Sequence, residues 1–210
     1  MGKTTTSINT ATYLATAGLS VLLVDMDPQG NATSGMGIHR NHLTECVYNC
    51  LVEGTPVEKV ILKNVLQNLD VLPATPRLAG AEVELVEEAQ REWKLKNALQ
   101  GIREKYDIIL IDSPPSLSLL TVNALTAADG VIIPIQCEFY ALEGLSQLVK
   151  TIELIQQRLN PMLKIAGILL TMYDSRTLLS QQVVMETRKH FGNRVFQTIV
   201  PRNVRLAEAP

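Results

Sequence analysis

Short, unbroken apolar runs punctuate the chain: Val21-Leu22-Leu23-Val24, Ile108-Ile109-Leu110-Ile111, Val131-Ile132-Ile133, and Ile165 to Leu170. None alternates with polar residues. That is the pattern of strands buried on both faces, and it favours a parallel sheet. A further strand is predicted at Val195 to Val200. Helical patterns lie between these runs. Thr4 to Ala17 closes at Gly18, the residue type that ends helices in the left-handed conformation. Leu78 to Ile102 carries Leu78, Val83, Leu85, Val86, Ala89, Trp93, Leu95, Leu99 and Ile102 at helical spacing. Leu142 to Leu159 stops at Asn160-Pro161, and Leu178 to Phe191 stops at Gly192. Alternating strands and helices predict an α/β fold: a doubly wound, mostly parallel sheet with helices on both faces. No repeat or linker interrupts the pattern, so one domain is expected over residues 1–210.

Composition narrows the classes. The 210 residues are 46% hydrophobic with a formal net charge of −2, enough chain for one sizeable core. A charged fraction of 19% excludes a disordered acidic or basic tail protein. The near-neutral balance removes any whole-chain attraction for nucleic acid, so a DNA site would have to be a local patch. No apolar run approaches the roughly 18 residues of a membrane span, and no secretory leader pattern opens the chain. Three cysteines (Cys46, Cys50, Cys137) make no disulfide framework and fit a reducing cytoplasm.

Three segments carry candidate chemistry. Gly2-Lys3-Thr4-Thr5-Thr6 opens a helix. A phosphate-binding loop needs a glycine for close backbone approach, a lysine for the β/γ oxygens and a hydroxyl for Mg²⁺, all backed by a helix N-terminus. Asp25-Met26-Asp27-Pro28-Gln29-Gly30 follows a strand, which sets two carboxylates in the crevice where open α/β sheets bind ligands. The plainer alternative is a capped turn, because Asp-Pro and Gln-Gly are turn formers. Ile108 to Ile111 followed by Asp112 has the Walker B form, with the acid near Mg²⁺ through water. Each segment alone is weak; together they describe one phosphate and metal site.

These segments resemble the ParA/Soj chromosome-partitioning ATPases, the deviant Walker A group of P-loop proteins. The resemblance runs through Gly2 to Thr6, Val21 to Gly37, Leu78 to Leu85, Ile109 to Leu125, Pro134 to Leu148, Leu170 to Arg176 and Val200 to Pro210. It implies an ATPase using ATP and Mg²⁺. Lys3 would be the P-loop lysine, with Gly2 in the loop, Thr4 the Mg²⁺ ligand and Thr5 a phosphate contact. Asp27 would position the attacking water, Asp25 would lie near the metal, and Asp112 would be the Walker B acid. Pro201, Arg202 and Asn203 would help form the adenine pocket. Arg176 and Arg205 would bind DNA without sequence preference. The implied partners are a second copy of the chain in an ATP-dependent homodimer, non-specific DNA and a ParB-type stimulating protein, with a cytoplasmic, nucleoid-associated location and no membrane. The family loop reads Lys-Gly-Gly-x-Gly-Lys-Thr, and Met1 stands at x. The chain is therefore expected to lack the first strand, the signature lysine and a C-terminal helical segment.

Other signals are weaker. His39, His42, Cys46 and Cys50 offer zinc-ligand types but match no closed zinc module; Cys46 and Cys50, four apart, suit one buried helix face. Arg176, Lys189, Arg194, Arg202 and Arg205 make the last third locally basic. Alternative readings are a division-site ATPase of the MinD type, an iron–sulfur reductase relative, for which Cys137 alone is too little, and a truncated chain without turnover.

Overall fold

The computed structural model describes residues 2–138 and 141–203. They form two compact units: Thr4–Ala128, and residues 129–203 with Gly2 and Lys3.

The first unit runs α1 (Lys3–Thr16), β1 (Val21–Asp25), α2 (Asn31–Gly35), α3 (Val47–Leu51), α4 (Val57–Val60), β2 (Leu62–Leu66), β3 (Leu69–Leu72), α5 (Leu78–Glu84), α6 (Lys94–Gln100), β4 (Ile108–Asp112) and α7 (Leu119–Ala127). Its strand order is β2-β3-β1-β4. β1 is parallel to both β3 and β4, while β2 is antiparallel to β3. Side chains alternate across β1, and the alternation divides the core. Leu22 and Val24 join α3 to α7 on one face, whereas Val21 and Leu23 join Ala11 and Ala15 of α1 and Ala32 of α2 on the other. Helices therefore cover both faces, as the doubly wound pattern requires.

α1 stops where the sequence predicts. Gly18 adopts φ 94°, its N–H donates to the Ala15 carbonyl, and the Leu19 N–H reaches back to the Leu14 carbonyl. Those two bonds satisfy carbonyls that a helix end otherwise leaves open.

The second unit alternates strand and helix: β5 (Gly130–Gln136), α8 (Ala141–Arg158), β6 (Lys164–Tyr173), α9 (Leu178–Phe191) and β7 (Val195–Pro201). Its order is β5-β6-β7 and both pairings are parallel. Among the described residues no helix is long and apolar enough to cross a membrane.

Two expectations change, and one element is new. The periodic run Leu78 to Ile102 is not one helix. It breaks after α5, passes through Gln90 at φ 55° and a 3-10 turn at Arg91–Trp93, and restarts as α6. An unbroken helix would stack Glu84 on Glu88, a like-charge pair at i,i+4. Burial on both faces holds for β1, all of whose residues are buried, but Ile108 to Ile111 of β4 are only half-buried and Ile132 of β5 is exposed. β4 and β5 each sit at the edge of their own sheet. The hairpin of β2 and β3 goes unforeseen, because its first strand is largely exposed and carries no apolar run.

Asn123 of α7, fully buried, secures the broken run. Its Oδ1 accepts the Leu95 N–H at 3.1 Å, and its Nδ2 donates to the Arg91 and Leu119 carbonyls at 2.8 and 3.0 Å. Asn123→Ala strands a buried donor and a buried acceptor, at an expected cost of about 3 kcal/mol. Urea unfolding checks this; an unchanged midpoint would show that the junction holds without Asn123.

Candidate functional site

β1 and β4 end in register, with Asp25 opposite Asp112. Adjacent parallel strands lie about 4.8 Å apart, so the fold sets these two acids side by side at the carboxyl edge of the sheet. The Met26 N–H donates to the Asp112 carbonyl at 2.8 Å and carries the pairing one residue further.

Asp25 is fully buried. Its Oδ1 accepts the Asp27 N–H at 3.1 Å; its Oδ2 accepts both the N–H and the hydroxyl of Thr33, at 2.8 and 2.7 Å. Burial pushes its carboxyl above the ordinary carboxylate value, the Thr33 and Asp27 donors pull it back down, and the neighbouring Asp27 charge adds to the rise. Thr33 reaches further still: its hydroxyl oxygen accepts the Ala74 N–H at 2.9 Å, tying the segment after β3 to the same acid.

Asp27 is 7% exposed. The capped-turn alternative is realised around it, because Oδ1 accepts the Gln29 N–H at 2.9 Å and its carbonyl accepts the Gly30 N–H at 2.8 Å. The turn thus directs the carboxylate. Gly30 then enters α2 at φ 58°, where an added Cβ would lie 3.0 Å from the Ala74 carbonyl and overlap the Arg40 side chain. Only glycine fits that entry.

Asp112 is 1% exposed. Its Oδ1 accepts the Ser7 hydroxyl at 3.1 Å. Ser7 lies one turn beyond Thr4 in α1, so one bond ties the start of that helix to the end of β4. Lys3 is the first residue of α1, Gly2 precedes it at φ 88°, and Lys3 and Thr4 are half-buried while Thr5 is exposed.

The donor set suits a hard cation shared with phosphate. The paired acids Asp25 and Asp112 are oxygen donors, and the Ser7 hydroxyl links one of them to α1, the helix that Lys3 and Thr4 begin. Mg²⁺ takes one or two protein carboxylates and completes its shell with phosphate oxygens and water. Among the described residues no group of three or more His, Cys, Asp or Glu side chains converges. The zinc-type set does not converge either. Cys46 N-caps α3 with its Sγ 3.2 Å from the Thr75 hydroxyl, and burial pushes the Cys50 thiol up to about 12.

In the second unit, Pro201 ends β7, and Arg202 and Asn203 follow it, all exposed. Arg176 is exposed in the loop between β6 and α9. Arg205 lies outside the described residues. Ser7 and Thr33 escaped the sequence reading. A hydroxyl one turn beyond the Gly-Lys-Thr triplet, and another at the third position of the helix after the acidic turn, were the signals to be found.

An AAA-domain family model matches residues 1–165. The sporulation initiation inhibitor protein Soj of Bacillus subtilis is 57% identical over 210 residues, spanning all of this chain and 83% of that protein. The chromosome-partitioning ATPase Soj of Thermus thermophilus is 54% identical over the whole chain and 80% of its own length. Among solved structures, a cobyrinic acid a,c-diamide synthase of Mycobacterium smegmatis with bound ATP analog and magnesium matches with TM-score 0.88 and 40% identity, covering 99% of this chain and 85% of that one. A plasmid partition protein of Borrelia burgdorferi matches with TM-score 0.81 and 29% identity, covering 99% and 89%.

Thr33→Val removes one hydroxyl from both Asp25 and Ala74. The expected cost at neutral pH is about 2 kcal/mol. Because the folded-state pKa of Asp25 is raised, its contribution to stability is lost as pH rises through that value. Losing the Thr33 donor raises it further. The penalty should therefore be larger at pH 7 than below the ordinary 3.8, where the carboxyl is protonated in both states. Equal penalties in urea unfolding at the two pH values would contradict the Thr33–Asp25 bond.

Proposed function

The chain belongs to the ParA/Soj family of chromosome and plasmid partition ATPases, and we propose that it binds and hydrolyses ATP as a switch for moving DNA. The carrying observation is the in-register pair Asp25 and Asp112, tied through Ser7 to the helix that Gly2-Lys3-Thr4 opens. The family match to residues 1–165 crosses both compact units, which supports reading the 210 residues as one P-loop ATPase domain.

In this reading Gly2, Lys3, Thr4 and Thr5 hold the phosphates. The lysine ammonium sits on the β/γ oxygens and the backbone N–H groups of the α1 N-terminus point at them. Thr4, Asp25 and Asp112 would hold Mg²⁺, which when bound neutralises phosphate charge. Three protein donors fix Asp25, and the Ser7 hydroxyl orients Asp112, so both carboxylates are held ready at the strand ends. Asp27 aims an attacking water at the γ-phosphate, held by the turn that its own Oδ1 closes. Phosphoryl transfer asks mainly for positioning and charge neutralisation, so this sparse set suffices. Pro201, Arg202 and Asn203 contact the base.

ATP drives formation of a homodimer in the cytoplasm. The dimer binds nucleoid DNA through phosphate contacts from Arg176 and Arg205, and a ParB-type partner stimulates hydrolysis and release. With a net charge of −2 there is no global attraction, so a few arginines must supply the binding.

Two experiments test the nucleotide site and a third the DNA surface. Lys3→Ala is expected to abolish ATP binding in calorimetry, while Asp27→Ala keeps ATP binding and ATP-dependent dimerisation and loses turnover. Undiminished binding in the first, or near-normal turnover per dimer in the second, removes the assignment. For DNA, Arg205→Ala should weaken binding evenly across sequences and make its salt dependence shallower, by about 0.9 for each phosphate that is no longer neutralised. An unchanged affinity and slope for both Arg176→Ala and Arg205→Ala would place the DNA surface elsewhere.

A further inference from the structure

Arg176 is not held out into water as an open cation. Its Nε donates to Asp174 Oδ1 at 2.9 Å and its Nη2 to Asp174 Oδ2 at 2.7 Å, a two-pronged grip. The Arg176 N–H adds a third bond to Oδ1 at 3.0 Å. The two partners are unequal: the arginine side chain is 85% exposed and the aspartate 19%. The aspartate is also anchored through its backbone. Its carbonyl accepts the Thr177 hydroxyl and N–H, both at 3.2 Å, and its N–H donates to the Ser180 hydroxyl at 3.4 Å. Thr177 caps α9, with its side chain accepting the Ser180 N–H. The carboxylate is thus part of the scaffold, and the guanidinium is the movable arm.

We infer that Asp174 is an internal counter-anion for Arg176, which a DNA phosphate must displace before that arginine binds. The inference rests on the assignment of Arg176 to DNA made above. Carboxylate and phosphate present the same paired acceptors to the same edge of a guanidinium, so one substitutes for the other without a new geometry. While the pair is closed it is neutral, and the loop offers DNA no net positive charge. Opening it does not strand the carboxylate. Arg202, whose N–H donates to the Tyr173 carbonyl at 2.9 Å, also contributes positive field at Asp174. Arg176, by hydrogen bond and charge, holds the Asp174 carboxyl well below the usual carboxylate range, so the pair stays ionised at every working pH. The consequence is an arginine whose DNA affinity is damped by its own neighbour, which keeps non-specific binding reversible.

The test is a double-mutant cycle on ATP-dependent binding of the full chain to a duplex of arbitrary sequence, read by fluorescence anisotropy at fixed salt. Asp174→Asn is expected to tighten binding about three- to five-fold, the range an exposed ion pair supports. In an Arg176→Ala background the same change should shift binding by less than about 1.5-fold. Equal gains in both backgrounds would reduce Asp174 to a contribution to the general field and overturn the inference. Weaker binding by Asp174→Asn would make it a positioning residue and overturn it too. A wild type that binds no DNA with ATP removes the DNA assignment itself, whereas a binding wild type with an additive cycle removes only the counter-anion. If Asp174→Asn does not fold, Asp174→Ser removes the carboxylate while leaving Arg176 in place. It should tighten DNA binding in the wild-type background and not in the Arg176→Ala background; equal effects in both would overturn the inference.

Discussion

A carboxylate taken out of water costs several kcal/mol unless donors replace the hydration it loses, and the first unit is arranged around that cost at Asp25. Oδ1 takes the Asp27 N–H, which requires the chain to turn immediately after β1. Oδ2 takes both donors of Thr33, which requires α2 to start close by and fixes its approach. That approach demands a left-handed residue at Gly30 with no side chain to meet Ala74. Thr33 then accepts the Ala74 N–H, so the chain leaving β3 docks on the same hydroxyl. One buried acid thereby sets a turn, a helix start and a loop.

The parallel register carries this geometry sideways. Because β1 and β4 pair through Asp25 and Asp112, any slip of the register would flip alternate side chains to the opposite face and part the two acids. The core prevents the slip. Leu22 and Val24 belong to one cluster and Val21 and Leu23 to the other, so both faces of β1 penalise it. Ser7 adds the third element by linking α1 to Asp112. The acids are positioned by packing, and the helix by a hydrogen bond to one of them.

Much of this was legible in the amino-acid sequence where one physical signal dominates. The unbroken run Val21 to Val24 reads as a buried strand because it is an inner strand of its sheet, and Gly18 marks a helix end because its left-handed backbone disfavours any side chain. The acids were found because they follow such runs. Other elements rest on partners far along the chain, which local pattern does not contain. The break between α5 and α6 falls within a continuous apolar period and is held by Asn123, 32 residues from Arg91. The half-exposure of Ile108 to Ile111 comes from β4 lying at a sheet edge, a fact of strand order. Ser7 and Thr33 look like ordinary helix hydroxyls until Asp112, 105 residues away, and Asp25 come within reach.

Four aspartates show how environment assigns different work to one side chain. Asp25 is completely enclosed and takes three protein donors, so it organises the turn, the helix start and the loop around it. Asp112 is nearly as buried, and its Oδ1 accepts the Ser7 hydroxyl of α1. Asp27 gives one oxygen to its own turn, at 7% exposure, and so stands at the boundary between protein and solvent where a water can be aimed. Asp174, more exposed than these and clasped by an arginine, has its charge set by its partner rather than by burial. The progression from enclosed to exposed is also one from geometry to exchange. A buried carboxylate cannot trade its donors without unfolding its surroundings, whereas an exposed ion pair trades them readily because water stands in for either partner. The acids that need permanence are thus placed at the ends of packed strands, and the one suited to exchange lies on the loop between β6 and α9.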